Sequence, residues 1–142
     1  LIVVTTARRP DEARIQIATD ADIVRARQVG REMAAALGCS TTDLTMVATA
    51  ISEIARNLLT HAGGGELEMR FVDHRSRRCL EIVARDDGPG IADLDRALED
   101  GFTTGEGLGL GLPGARRLMD EFTISSELGR GTVVTMYKWC GP

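Results

Sequence analysis

The sequence predicts an α+β domain in two layers, a mainly antiparallel sheet with helices against one face. Three observations carry that expectation. Helical periodicity fills two stretches before residue 63, two strand hairpins lie at 66–86 and 122–139, and between the hairpins a glycine-rich segment leads into one more amphipathic helix. A chain of 142 residues suits one domain, 1–142, able to bury roughly 70% of the surface that its unfolded form would expose.

In chain order, "ARIQIAT" (13–19) alternates as a strand, and Asp20 is the expected cap of a helix running to about Leu37, where Gly38 stops it. A second helix follows. Ser40 to Asp43 supply caps, Leu44, Val47, Ala48, Ile51, Ile54, Ala55 and Leu58 form an apolar stripe, and Gly63 to Gly65 terminate it. "ELEMRFVD" (66–73) and "RRCLEIVARD" (77–86) read as a hairpin turning near His74 to Ser76, and "FTISSEL" (122–128) with "TVVTMYKW" (132–139) as another around "GRG". From Leu112, apolar residues at 115, 118, 119 and 122 keep helical spacing.

Composition removes several function classes. Twenty-one acidic against 17 basic residues give a net charge of −4, the wrong sign for a broad nucleic-acid footprint. Apolar runs such as "LIVV" fall far short of the roughly 18 residues of a membrane span, and no signal peptide is visible, so the expected location is cytoplasmic. Cys39, Cys79 and Cys140 are odd in number and scattered, which predicts buried or reduced thiols and neither a disulfide framework nor a zinc site. Lys138 is the chain's one lysine. A Walker A loop and a eukaryotic-type kinase each need a lysine elsewhere, so both are excluded.

Three short motifs carry chemistry. Glu53 and Asn57 lie one turn apart on the second helix, away from its apolar stripe, yet Met46 and Ala50 share their side. A solvated polar face is the ordinary reading of such a pair. The two apolar neighbours instead suggest a second surface, such as a ligand cleft. "DDGPG" (86–90) ends a strand; it reads as a turn, as a metal pair through Asp86 and Asp87, or as a carboxylate placed to accept from an exocyclic amine such as adenine N6. "GEGLGLGL" (105–112) has three glycines, Gly107, Gly109 and Gly111, ahead of a helix N-terminus, where backbone N–H groups favour a phosphate. Gly109, Gly111 and Gly114 also spell GxGxxG, but no strand precedes them as a dinucleotide site requires.

In that order, "EIARN" (53–57), "DDGPG" and "GEGLGLGL" resemble the N, G1 and G2 boxes of the GHKL ATPase superfamily, whose shared feature is the Bergerat ATP-binding fold, a two-layer α+β fold with a mixed, mainly antiparallel sheet. Further along, "HAGGGELEM" (61–69), "GLGLGLPGARRLMDEF" (107–122) and "GRGTVVTMYKW" (129–139) are similar to the RsbT-type switch kinases of the bacterial stressosome. That resemblance implies Glu53 as general base, Asn57 as ligand of Mg2+, and Asp86 as the carboxylate on adenine, with Gly88 and Gly90 shaping its wall. It implies Thr132 near the base, Gly107, Leu108, Gly109, Leu110 and Gly111 in the phosphate loop, and a mobile lid from about Ile91 to Glu106 that holds Thr103 and Thr104.

The implied activity is transfer of the γ-phosphoryl of ATP to a serine on a STAS-domain partner, followed by release to activate a downstream phosphatase. Two alternatives remain. One is an anti-sigma factor kinase that also holds a sigma factor; the other is a non-catalytic module that uses nucleotide to fix its shape. A histidine kinase would need a phosphoacceptor domain, and His61 and His74, the only histidines, do not supply one.

Overall fold

A computed structural model describes residues 11–99 and 111–140. The elements run β1 (Glu12–Ile17), α1 (Asp20–Ala36), α2 (Thr41–Ala62), β2 (Gly65–His74), β3 (Arg77–Asp86), α3 (Leu94–Ala97), α4 (Gly111–Leu118), β4 (Glu121–Glu127) and β5 (Gly131–Lys138). The five strands form one sheet in the order β1-β2-β3-β5-β4. Every described pairing is antiparallel, so the mixed part of the expected sheet has no counterpart among the described residues.

Strand alternation decides which face is covered. Leu67 and Met69 of β2, Leu80, Ile82 and Ala84 of β3, and Val134 and Met136 of β5 project to one side and join Ile51, Ile54 and Leu58 of α2 in the core. Ile51 is fully buried, and a truncation of this kind typically costs about 2 to 5 kcal/mol. The opposite face is charged. There Glu68 and Glu81 are each only 8% exposed, because Arg14 and Arg85 lie over the first, and Arg70 with the Tyr137 hydroxyl over the second.

Several expectations change in detail. α1 is capped by Thr19 rather than Asp20: Thr19 Oγ1 accepts from Asp22 N–H at 3.3 Å, while Asp22 Oδ2 accepts from Thr19 N–H at 3.0 Å. This capping box also draws in Ala18 N–H, and the amides hold the Asp22 carboxyl below its usual range. β1 therefore stops at Ile17. α2 is capped by Ser40 and stopped by Gly63 as expected, with Gly63 in the left-handed region. α4 ends at Leu118, and Phe122 belongs to β4, where Asp120 N–H has already turned to bond Tyr137 O at 3.0 Å.

Two tethers fasten the C-terminal end of β5. Lys138 Nζ is buried, donates to Leu118 O at 3.0 Å, and lies 3.7 Å from Asp43 and 3.8 Å from Asp120. It satisfies the last turn of α4 and links that turn to the start of α2. The second tether corrects the cysteine expectation. Cys39 and Cys140 form a disulfide, and only Cys79 remains a free, buried thiol. The pair is 101 residues apart in sequence, but β5 ends against the α1–α2 connection and brings the two Cα atoms to 4.8 Å. No described helix is long and apolar enough to cross a membrane.

Candidate functional site

The side of α2 that carries Glu53 faces protein, not water. α4 packs against it, Ala50 is fully buried and Glu53 only 5% exposed. Burial of a carboxylate requires a donor. Here it is the Gly111 amide, which donates to Glu53 Oε2 at 3.2 Å from the first residue of α4, where the partial positive charge of the helix also favours an anion. One turn on, half-buried Asn57 reaches a cavity of about 350 Å³ enclosed between α2, the sheet, the segment after β3 and the start of α4.

Asp86 closes the far wall as the last residue of β3. Its Oδ1 accepts from Gly88 N–H at 2.9 Å, an Asx turn that fixes the carboxylate and leaves Oδ2 without a hydrogen bond among the described residues. β5 runs directly beside it: Thr132 is the register partner of Asp86, and Gly131, at φ +100°, lies so near the Asp86 carbonyl that a Cβ would collide with it. Gly90, at φ +77°, makes the same kind of approach to the Glu127 carbonyl, while Gly129 N–H bonds Pro89 O at 3.0 Å. The segment after Asp86 is thereby locked beneath the β4–β5 turn.

The cavity has the mixed lining of a small-molecule site. Ile54, Leu58, Ala84, Ile91, Leu112 and Val134 supply apolar walls, against which Asn57, Asp86 and Thr132 place polar groups. Apolar walls with the Asp86 carboxylate as an acceptor at one end suit a purine base that carries an amine. Gly90 and Gly111 also face the cavity. Glu53 does not; it lies behind Gly111. Gly88 packs on Ala62 and acts on the site only through Asp86. Thr103, Thr104, Gly107, Leu108, Gly109 and Leu110 lie outside the described residues, as does the second part of the expected lid, from residue 100 on.

Sequence reasoning missed part of this wall. His61 faces the cavity one turn beyond Asn57, a spacing that would have found it, and Asp93 and Arg96 face it from α3. α3 falls within the stretch read as lid, where Asp93 accepting from Arg96 N–H at 3.1 Å is a legible cap. Ser126, discussed below, left no signal of its own.

The sequence matches the histidine kinase-like ATPase domain family over residues 17–138. The chain belongs to that family. Among its relatives, the serine/threonine-protein kinase RsbT of Bacillus subtilis is 48% identical over 129 residues, covering 91% of this chain and 97% of the relative. An anti-sigma F factor of Caldanaerobacter subterraneus is 32% identical over 122 residues, 82% of this chain and 84% of the relative.

Solved structures give the same fold. A crystal structure of the RsbU and RsbW domains of a Mycobacterium tuberculosis protein superposes with a TM-score of 0.62 at 21% identity, covering 90% of this chain and 32% of that longer one. The mycobacterial sensor histidine kinase MprB superposes at 0.53 with 15% identity, covering 89% of this chain and 96% of its own. Membership of an ATPase domain family implies ATP binding, and the three motifs at 53–57, 86–90 and 105–112 all lie inside the matched span.

Proposed function

We propose that the chain is a protein-serine kinase that moves the γ-phosphoryl of ATP to a serine on a small STAS-domain partner. One observation carries this reading: Asn57, Asp86 and Thr132 converge on one apolar cavity while a buried carboxylate, Glu53, waits at the Gly111 end of it. The similarity to a serine/threonine-protein kinase over nearly its whole length supports the same reading.

In this proposal Asp86 Oδ2 accepts from the adenine amine, Gly88 holds the carboxylate in place, and Gly90 lets the wall close against the β4–β5 turn. Asn57 would hold magnesium through its amide oxygen. The described residues contain no cluster of three His, Cys, Asp or Glu, so the donor set fits an ion that takes its other ligands from phosphate and water. Bound there, the ion would neutralise charge on the phosphates. Gly107, Leu108, Gly109, Leu110 and Gly111 complete the phosphate loop, with Thr103 and Thr104 in the lid. As the partner's serine oxygen bonds to the γ-phosphorus, the bond to the β-phosphate bridging oxygen breaks, ADP leaves, and the serine proton passes to the Glu53 carboxylate.

The proposed setting is a bacterial cytoplasm and a stressosome-type switch, in which the freed kinase activates a phosphatase. Similarity to an anti-sigma F factor favours a second reading, a kinase that also retains a sigma factor. Incubation with magnesium ATP and candidate STAS proteins, read by mass spectrometry for phosphoserine, tests the first. Co-purification with a sigma factor tests the second. Nucleotide binding with no phosphoserine on any STAS protein would leave the non-catalytic module standing.

A further inference from the structure

A single oxygen atom in β4 has more partners than a strand residue needs. Ser126 Oγ accepts from Ile91 N–H at 2.7 Å, lies 3.2 Å from Gly131 O as a donor, and lies 2.8 Å from Thr132 Oγ1. It stands last in the inward row of β4 after Phe122 and Ile124, directly across the ladder from Thr132. Those three contacts join the segment that leaves the cavity wall after Gly90, the glycine beside Asp86, and the hydroxyl that faces the cavity.

Proton counting shows what this does. Ser126 has one hydrogen to give, and Ile91 N–H already occupies one of its lone pairs. When Ser126 donates to Gly131 O, Thr132 donates to Ser126 and offers only lone pairs to the cavity. When Ser126 donates to Thr132, the Thr132 hydrogen turns into the cavity instead. In the first state both hydroxyl hydrogens rest on protein acceptors; in the second Gly131 O gives up the Ser126 donor and the Thr132 hydrogen is left for the ligand, so Thr132 can meet a donor or an acceptor there.

We propose that Ser126 is a positioning residue of the nucleotide site: through one hydroxyl it sets the proton that Thr132 presents and fixes Ile91 on the cavity wall. The proposal rests on the reading of the cavity as an ATP site. Removing the hydroxyl would strand Ile91 N–H and leave Thr132 to orient without a partner.

The test is a double-mutant cycle on ATP affinity by calorimetry, with Ser126→Ala, Thr132→Val and the pair, alongside Ser126→Thr and amide hydrogen exchange at Ile91. Ser126→Ala is expected to weaken ATP about three- to tenfold, Ser126→Thr to restore affinity, and at least half of the Ser126→Ala effect to vanish when Thr132 is already valine. Protection at Ile91 should fall in Ser126→Ala and return in Ser126→Thr without nucleotide present. A fully additive cycle, or wild-type affinity in Ser126→Ala, overturns the positioning role while the ATP site stands. If the wild type itself binds no ATP, the reading of the cavity falls, and the positioning role with it. Unchanged unfolding midpoints keep a folding defect separate from either result.

Discussion

The Glu53 carboxylate and the Gly111 amide, 58 residues apart in sequence, meet at 3.2 Å. This bond joins the middle of α2 to the first residue of α4, so the group proposed to take the serine proton also holds the start of that helix. An amide oxygen can accept the same bond. Glu53→Gln should therefore keep ATP affinity and the fold while phosphoserine formation falls about 10²- to 10⁴-fold, the usual span for a lost general base. Transfer at the wild-type rate would remove Glu53 from that role.

Asn57→Ala should lose the magnesium-dependent part of ATP affinity and abolish transfer, since the proposal gives the ion one protein ligand, the Asn57 amide oxygen, and its removal leaves phosphate and water alone. Titrations with and without magnesium give the answer. Equal affinities in the variant and the wild type, each rising alike with magnesium, would return Asn57 to an ordinary wall residue.

Asp86→Asn should weaken ATP by about 1 to 3 kcal/mol. The Gly88 amide needs an oxygen at the Oδ1 position, so the substituted side chain keeps its oxygen there and turns its NH₂ toward the adenine amine, donor against donor. GTP should bind the wild type poorly. Calorimetry that gives ATP and GTP equal affinities defeats this assignment.

Burial, reinforced by its hydrogen bond to Glu81 at 2.9 Å, pushes the Tyr137 hydroxyl up to about 12 from an ordinary value of 10.0. Above pH 10 the unfolded chain loses this proton and the folded chain keeps it, so unfolding becomes easier between pH 10 and about 12; below pH 10 the contribution is complete. Tyr137 is the one tyrosine in the sequence. Tyrosinate absorbance should rise late in the native protein, and Tyr137→Phe should flatten the alkaline limb of stability. A native titration midpoint near 10 contradicts this.

Reduction of the Cys39–Cys140 disulfide should lower the urea midpoint, since a cross-link over 101 residues removes about 4 to 5 kcal/mol of loop-closure entropy from the unfolded chain in the chain-entropy account. Cys39→Ser should behave like the reduced wild type. Superimposable curves with and without reductant would show that the tether contributes nothing.

How much of this was legible in the sequence depends on how local each cause is. α2 was legible because its apolar spacing, serine cap and glycine stop agree within one element. The β2–β3 turn was less so: Arg75 and Ser76 take φ of 53° and 63° without the glycine or asparagine that usually marks such a turn. Phe122 fitted both the helical row before it and the strand that holds it, and only the Asp120 bond to Tyr137 decides between them. Glu53, Asn57 and Asp86 stood out because each belongs to a short motif. Ser126 and Cys140 did not, because the partners of each are set by strand register and sheet order, which a local pattern does not carry.

The one lysine of the chain is folded away, its ammonium enclosed by Leu118 O, Asp43 and Asp120. Acylating reagents and enzymes aimed at lysine therefore find no open side-chain amine on the native surface. Any label that appears at Lys138 reports that the end of α4 has come away from α2, which makes a routine amine footprint a clock for the helix whose first residue meets Glu53.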